Sequence, residues 1–186
     1  LAEAFTRPSM MHALGKVGFQ QSYTYFTWRN TKQELESYLT ELVHGSADFF
    51  RPNFWVSTPD ILTEYLQFGG PAAHKIRAVL ASMCTPNWGM YAGYELCESV
   101  ARPGAEEHID SEKFEYRPRD WEAAKKGGRS IADFITKLNE IRAAHPSVRQ
   151  LRNLELQHTD DSAILAFSKH LAAEHTDSGN ADTILV

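Results

Sequence analysis

The chain has 186 residues, a net charge of −5, 42% hydrophobic and 11% aromatic residues; that is enough apolar matter for an ordinary core, which excludes a disordered chain. A pI near 5.9 leaves no clustered Lys and Arg to neutralise phosphates, so nucleic acid is not an expected partner. No apolar run approaches the ~18 residues of a membrane span, and no basic segment leads into an apolar one at the start; with Cys84 and Cys97 read as reduced thiols, a cytoplasmic location is expected and no membrane.

In chain order, Leu1-Ala2-Glu3 reads as a strand ending on a carboxylate. Ser9 to Lys16 can form a short helix, and the aromatic and Thr-rich run Phe19 to Trp28 is of strand type. The clearest helix follows. Thr31-x-x-Glu34 is a capping box, Leu35, Tyr38, Leu39, Leu42 and Val43 form one apolar stripe, and Gly45 is its expected stop. Ala47 to Trp55 reads as a strand entering the loop that carries Asp60; Ile61 to Phe68 can form a helical turn before Gly69-Gly70-Pro71. A helix with Ala72, Ile76, Val79, Leu80 and Met83 on its core face comes next, then a strand over Asn87 to Tyr94. Glu98 to Gly128 is a polar excursion broken by Pro103 and Pro118, after which Ser130-x-x-Asp133 is expected to cap a helix burying Phe134, Ile135, Leu138 and Ile141.

Strand and helix therefore alternate to about residue 145, the pattern of parallel βαβ units. After Pro146 the pattern changes: Leu151 to Leu156 and Ala163 to Phe167 flank a His-Thr-Asp-Asp-Ser turn as an antiparallel hairpin, and Thr183 to Val186 begins another strand. Opening in one strand and closing in another, the sequence reads as part of a longer polypeptide. A strand that ends on an acid is a costly place for charge, so Glu3 and Asp60 invite a working role. The alternatives are a surface acid or, for Asp60, the N-cap of a helix over residues 61–68. The eight histidines stand at no spacing of a metal motif, and neither metal nor cofactor is expected.

The motifs sharpen this into a resemblance. Leu1-Ala2-Glu3-Ala4-Phe5 looks like the fifth barrel strand of the α-amylase superfamily, the run through Asp60 like the seventh, and Thr85 to Glu95 is similar to the Gly-x-Pro…Gly-x-Glu segment at the eighth. Thr58-Pro59-Asp60, Glu3-Ala4-Phe5-Thr6-Arg7-Pro8, Tyr23 to Arg29 and Ser111-Glu112-Lys113-Phe114 together resemble the α-1,4-glucan:maltose-1-phosphate maltosyltransferase branch. Ser57 stands where that branch leads one to expect Asn, and Phe114 where some members have Tyr.

The resemblance implies an α/β fold: residues 1–146 as the second half of a (β/α)8 TIM barrel, strands 5–8, and residues 147–186 as the start of an antiparallel β-sandwich domain. It implies maltosyl transfer from maltose 1-phosphate to the non-reducing end of an α-1,4-glucan, in a homodimer and together with the rest of the polypeptide. Glu3 would be the acid/base and Asp60 the carboxylate that stabilises the transition state; the nucleophile would lie upstream, leaving this segment inactive alone. Substrate contacts are expected from Lys113, Phe114, Thr58, Tyr25 and Trp28. From the residues alone, Lys113 is equally a solvated lysine, and aromatics at strand positions, as Tyr25, Trp28 and Trp55 are read here, are usually core. Thr58 precedes Pro, which biases its backbone to extended and can aim Asp60. Rival readings are an α-glucoside hydrolase or a trehalose or maltose isomerase of the same superfamily, or a noncatalytic glucan-binding or assembly segment.

Overall fold

The structure, a computed structural model, describes residues 6–19, 21–110 and 116–186. The expected first strand with Glu3, and the pair Lys113 and Phe114, lie outside the described residues.

Three short strands, β1 (Ser22–Tyr23), β2 (Pro52–Trp55) and β3 (Asn87–Gly89), form a parallel sheet in the order β1-β2-β3, pairing Ser22 with Pro52 and Trp55 with Gly89. Parallel neighbours need a crossover, and helices supply it. Helix α1 (Pro8–Lys16) precedes β1, α2 (Lys32–Thr40) lies between β1 and β2, and α3 (Glu64–Cys84) between β2 and β3. A short α4 (Trp121–Lys126) and α5 (Ala132–Ala144) follow. The chain then makes an antiparallel sheet of β4 (Leu154–Gln157), β5 (Ala166–Leu171) and β6 (Asp182–Leu185), with Leu156 opposite Phe167 and Lys169 opposite Ile184.

The strands are shorter than the hydrophobic runs that suggest them. After Tyr23, the Thr24 hydroxyl accepts from the Phe26 amide and starts a 3-10 turn over Tyr25–Trp28. Before β2, the helix begun at α2 does not stop at Gly45; it widens into a π-type turn over Glu41–Ser46, and Phe49 and Phe50 bond back to the Ser46 carbonyl. After β3, Gly93 (φ 98°) turns the chain into a 3-10 turn over Tyr94–Leu96. Its positive φ strains any other residue, and a Cβ placed there would come within 2.2 Å of the Glu98 carboxylate, which would have to move.

The capping box is present in full: the Thr31 hydroxyl accepts from the Glu34 amide, and the Glu34 carboxylate accepts from the amides of Thr31 and Asn30. The stripe it introduces is buried at Leu35, Leu39, Leu42 and Val43. Helix α3 buries only part of the expected face: Met83 is in the core and Val79 and Leu80 pack against it, but Ala72 and Ile76 are exposed. Small residues Ala73, Ala78, Ala81 and Ser82, with His74 and Arg77, face the core, whereas Ile76 is 49% exposed. Small side chains let the helix lie close to its neighbours; the larger Ile76, Val79 and Leu80 line a groove of about 490 Å³ with Phe134, Ile164, Leu165 and Val186. The helix also absorbs the expected separate turn, bending at Gly70 (φ 61°) with Pro71 opening the second segment. In α5, Ser130 accepts from the Ala132 amide, while Asp133 reaches sideways to Lys125 at 2.8 Å rather than closing a cap.

A single core runs from Met11 through Phe26, Phe54 and Leu66 to Val148, Leu154 and Phe167, so both sheets share it. Where they meet, Lys169 of β5 is fully buried, and its ammonium donates to the carbonyls of Val148 (2.9 Å), Cys84 (3.3 Å), Met83 (3.4 Å) and Gln150. Arg142 of α5 adds bonds to the carbonyls of Ser82, Thr85 (3.1 Å) and Pro86 (2.6 Å). Two cations thus satisfy the orphan carbonyls at the C-terminus of α3, where the helix dipole favours positive charge. Among the described residues no helix is long and apolar enough to cross a membrane.

Candidate functional site

Parallel pairing puts the carboxyl ends of β1, β2 and β3 on one edge of the sheet, so the loops that follow them gather there. The loops after β1 and β2 carry described residues singled out in the sequence. Along β2, alternate side chains take opposite faces. Phe54 stacks on Phe26 at 4.1 Å in the core, while Trp55 packs edge-on to Tyr23 at 5.5 Å and against Gly89, where a Cβ would approach the indole to 2.9 Å. The Trp55 Nε1 is buried without a hydrogen-bond partner among the described residues.

The loop after β2 is a tight reversal. Thr58 and Ile61 exchange both backbone hydrogen bonds, at 3.1 and 3.2 Å, and Pro59 and Asp60 form its tip. Asp60 is exposed there, while Val56, Ser57, Ile61 and Leu62 are buried around it. Buried flanks hold the tip and keep its carboxylate at the surface. Helix α3 starts only at Glu64 with Thr63 as its N-cap residue, so Asp60 is not that cap. Thr58 is a frame residue of the turn through its backbone.

Tyr25 and Trp28 share the 3-10 turn after β1, their rings 5.9 Å apart. The Tyr25 hydroxyl donates to the Thr6 carbonyl at 3.3 Å, three residues after Glu3 in sequence. This turn is fixed from beneath by Arg77 of α3. Arg77 is 2% exposed, lies 3.8 Å from the Phe26 ring centroid, and donates to the carbonyls of Phe26 (2.6 Å) and Arg29 (2.5 Å). Burial pushes its guanidinium down to about 10, still charged at neutral pH.

The polar excursion forms the third wall. Glu98 holds Arg119 through two bonds of 2.9 and 3.1 Å, with Arg117 at 3.7 Å. Residues 100–109 then fold as a small hairpin, with Ala101 bridged to His108. His108 is 3% exposed and packs edge-on to Tyr91 at 5.1 Å; burial pushes its imidazole down to about 4. At the hairpin tip, Glu106 accepts from the Trp28 indole at 2.9 Å and so joins this wall to the first.

The structure therefore brings Tyr25, Trp28, Thr58 and Asp60 to loops on one edge of the parallel sheet, joined through Glu106. Sequence reasoning missed Arg77 and Glu106. An arginine inside the otherwise apolar stretch Ile76 to Leu80 was a readable signal for the first; Glu106, in a Pro- and Gly-interrupted polar stretch, carried none. Among the described residues no group of three His, Cys, Asp or Glu side chains is placed to hold a metal ion.

No protein-family model matches the chain. Curated relatives do. The chain is 56% identical to alpha-1,4-glucan:maltose-1-phosphate maltosyltransferase 2 of Streptomyces coelicolor, an alignment that takes in 94% of the chain and 26% of that protein. It is 52% identical over its whole length to the alpha-1,4-glucan:maltose-1-phosphate maltosyltransferase of Mycolicibacterium smegmatis, covering 26% of it. The chain thus spans about a quarter of the length of these relatives. Among solved structures, an alpha-amylase from H. orenii matches with a TM-score of 0.64 at 13% identity, over 91% of this chain and 40% of the other. At that identity the likeness is one of fold: the chain has the architecture of a stretch of an α-amylase.

Proposed function

Because this chain belongs to the α-1,4-glucan:maltose-1-phosphate maltosyltransferase family, we propose that in the complete polypeptide it supplies one side of a retaining maltosyl-transfer site, with maltose 1-phosphate as donor and an α-1,4-glucan as acceptor. In this reading the parallel sheet is the later part of a (β/α)8 barrel, the antiparallel sheet opens a β-sandwich domain, and two copies assemble as a homodimer. The observation that carries it is the Asp60 turn: an exposed carboxylate on a doubly hydrogen-bonded loop at the carboxyl end of a parallel strand, the edge where barrel enzymes do their chemistry.

Retaining transfer needs a nucleophile and an acid/base carboxyl roughly 5 to 5.5 Å apart across the anomeric carbon. Glu3 is assigned the acid/base role, and the nucleophile comes from outside this chain. Phosphate departs from C1 as the maltosyl–enzyme bond forms; Glu3 then takes the proton of the acceptor 4-hydroxyl as that oxygen attacks C1 and the enzyme carboxylate leaves. Asp60 faces the positive charge that develops on the sugar ring, and its charge costs no reorganisation at that moment. Tyr25 and Trp28 offer aromatic faces to sugar rings, Thr58 aims the Asp60 turn, and Lys113 and Phe114 contact the donor.

The test is phosphate release from maltose 1-phosphate, with and without glycogen, by the complete polypeptide and its Asp60→Asn variant. The expected result is acceptor-dependent release that falls by about a hundredfold or more in the variant with folding intact, the scale for one preorganised electrostatic partner. Without phosphate release, hydrolysis of maltose or trehalose would point to the hydrolase reading instead, and their interconversion to the isomerase reading. Glucan binding with no turnover of any donor would point to a noncatalytic segment.

A further inference from the structure

The three walls of the site meet at one side chain outside the notional catalytic set. Residues 100–109 are a rigid unit: Ile109 donates to the Val100 carbonyl at 3.0 Å, Arg102 to Glu107 at 2.8 Å, and the buried His108 ring anchors the base against Tyr91. Its tip reaches two other loops through Glu106. The Glu106 carbonyl accepts from the Leu62 amide at 2.7 Å, one carboxylate oxygen accepts from the Glu64 amide at 3.3 Å, and the other from the Trp28 indole at 2.9 Å.

These bonds replace something the local sequence lacks. Thr63 precedes the first residue of α3 but makes no side-chain capping bond, so a first-turn amide is left for another acceptor. Glu106 supplies the acceptor from a distant segment and places its negative charge at the positive end of the helix. Leu62 and Glu64 directly follow the Asp60 turn. We propose that Glu106 is a positioning residue, fixing the Asp60 turn and the Trp28 indole in one relative geometry by hydrogen-bonding both loops at once. The proposal rests on the role given above to Asp60. Exposed hydrogen bonds add little to global stability, so the effect of losing Glu106 falls on geometry rather than on folding. Glutamine keeps the size of the side chain but has a single acceptor oxygen, and its amide nitrogen then opposes an N–H donor.

The experiment uses the complete polypeptide with Glu106→Gln, Trp28→Phe, the double variant and Asp60→Asn. Three quantities are read: kcat and KM for maltose 1-phosphate with glycogen, the melting temperature, and the indole N–H proton resonance of Trp28, identified by its absence in Trp28→Phe. Glu106→Gln is expected to lower kcat about tenfold or more, to shift the Trp28 resonance upfield, and to move the melting temperature by less than about 2 °C. The double variant is expected to lose less than the product of the two single losses, because the substitutions break the same bond. An unshifted indole resonance, unchanged kcat, fully multiplicative losses, or activity lost only in step with melting temperature would each overturn the proposal. If Asp60→Asn leaves turnover unchanged, the reading of the site fails on that result, while the indole resonance still reports separately whether Glu106 holds Trp28.

Discussion

Arg77 donates two hydrogen bonds to carbonyls of the turn that presents Tyr25 and Trp28, and it does so from the interior of the molecule. Replacing it with methionine keeps much of the volume and removes both donors, leaving the Phe26 and Arg29 carbonyls short of a partner. A loss of about 2 to 4 kcal/mol is expected in denaturant unfolding; a loss below the error of the extrapolation would show that the turn holds itself. His108 gives a pH dependence with a definite sign. Its folded-state pKa is about 4 against an ordinary 6.5, with burial as the first cause; Glu98 opposes it, and Arg117, Arg119 and His74 add to it. The unfolded chain therefore takes up a proton that the fold refuses, and stability falls as pH drops from about 6.5 towards 4. His74, lowered mainly by burial, acts in the same direction. His108→Gln is expected to flatten that part of a plot of melting temperature against pH; an unchanged slope would assign it to other groups. The sequence marked Arg77 as unusual in its apolar stretch but not what it holds, and gave no sign of His108, because their roles come from contacts with segments some 17 to 51 residues away.

The helices differ in how openly they announce themselves. The start and buried face of helix α2 were legible because cap, charge and apolar stripe agree: Thr31 and Glu34 close the box, and Leu35 and Leu39 are buried. Its end was not, since the helix does not stop at Gly45. Thr31→Ala is expected to cost about 1 kcal/mol, read as a lower urea midpoint with an unchanged slope. The second segment of helix α3 was legible as a helix, but not its union with the turn before Gly70, nor its full core face. Leu66, Met83 and the small residues enter the core while Ile76, Val79 and Leu80 line a groove, a choice made by how closely the helix lies on its neighbours, which periodicity alone does not report. The strands were overestimated for a related reason. Aromatic and Thr-rich residues mark the segments around β1 and β3, but Thr24 and Gly93 end them early through local bonds and backbone conformation.

At the scale of the whole molecule, alternation of strand and helix followed by a hairpin was enough to anticipate a parallel sheet and then an antiparallel one. What it left out is the joint between them. The strand pattern does not account for a buried Lys169; its N–H donors become intelligible only when β5 is laid against the end of α3 and the turn over Pro146–Arg149. Lys169→Met is expected to lower stability by about 2 to 3 kcal/mol. In wild type, amide exchange from β2 and β5 should report one shared unfolding event, given the continuous core; independent exchange of the two sheets would show that the joint is weak.

The carboxyl end of α3 is held by cations from two later elements, Lys169 of β5 and Arg142 of α5. Any chimera that grafts the antiparallel portion of another protein onto this scaffold must therefore carry a lysine or arginine to the same spot. A donor module matched for shape alone would leave a ring of bare oxygens at the seam.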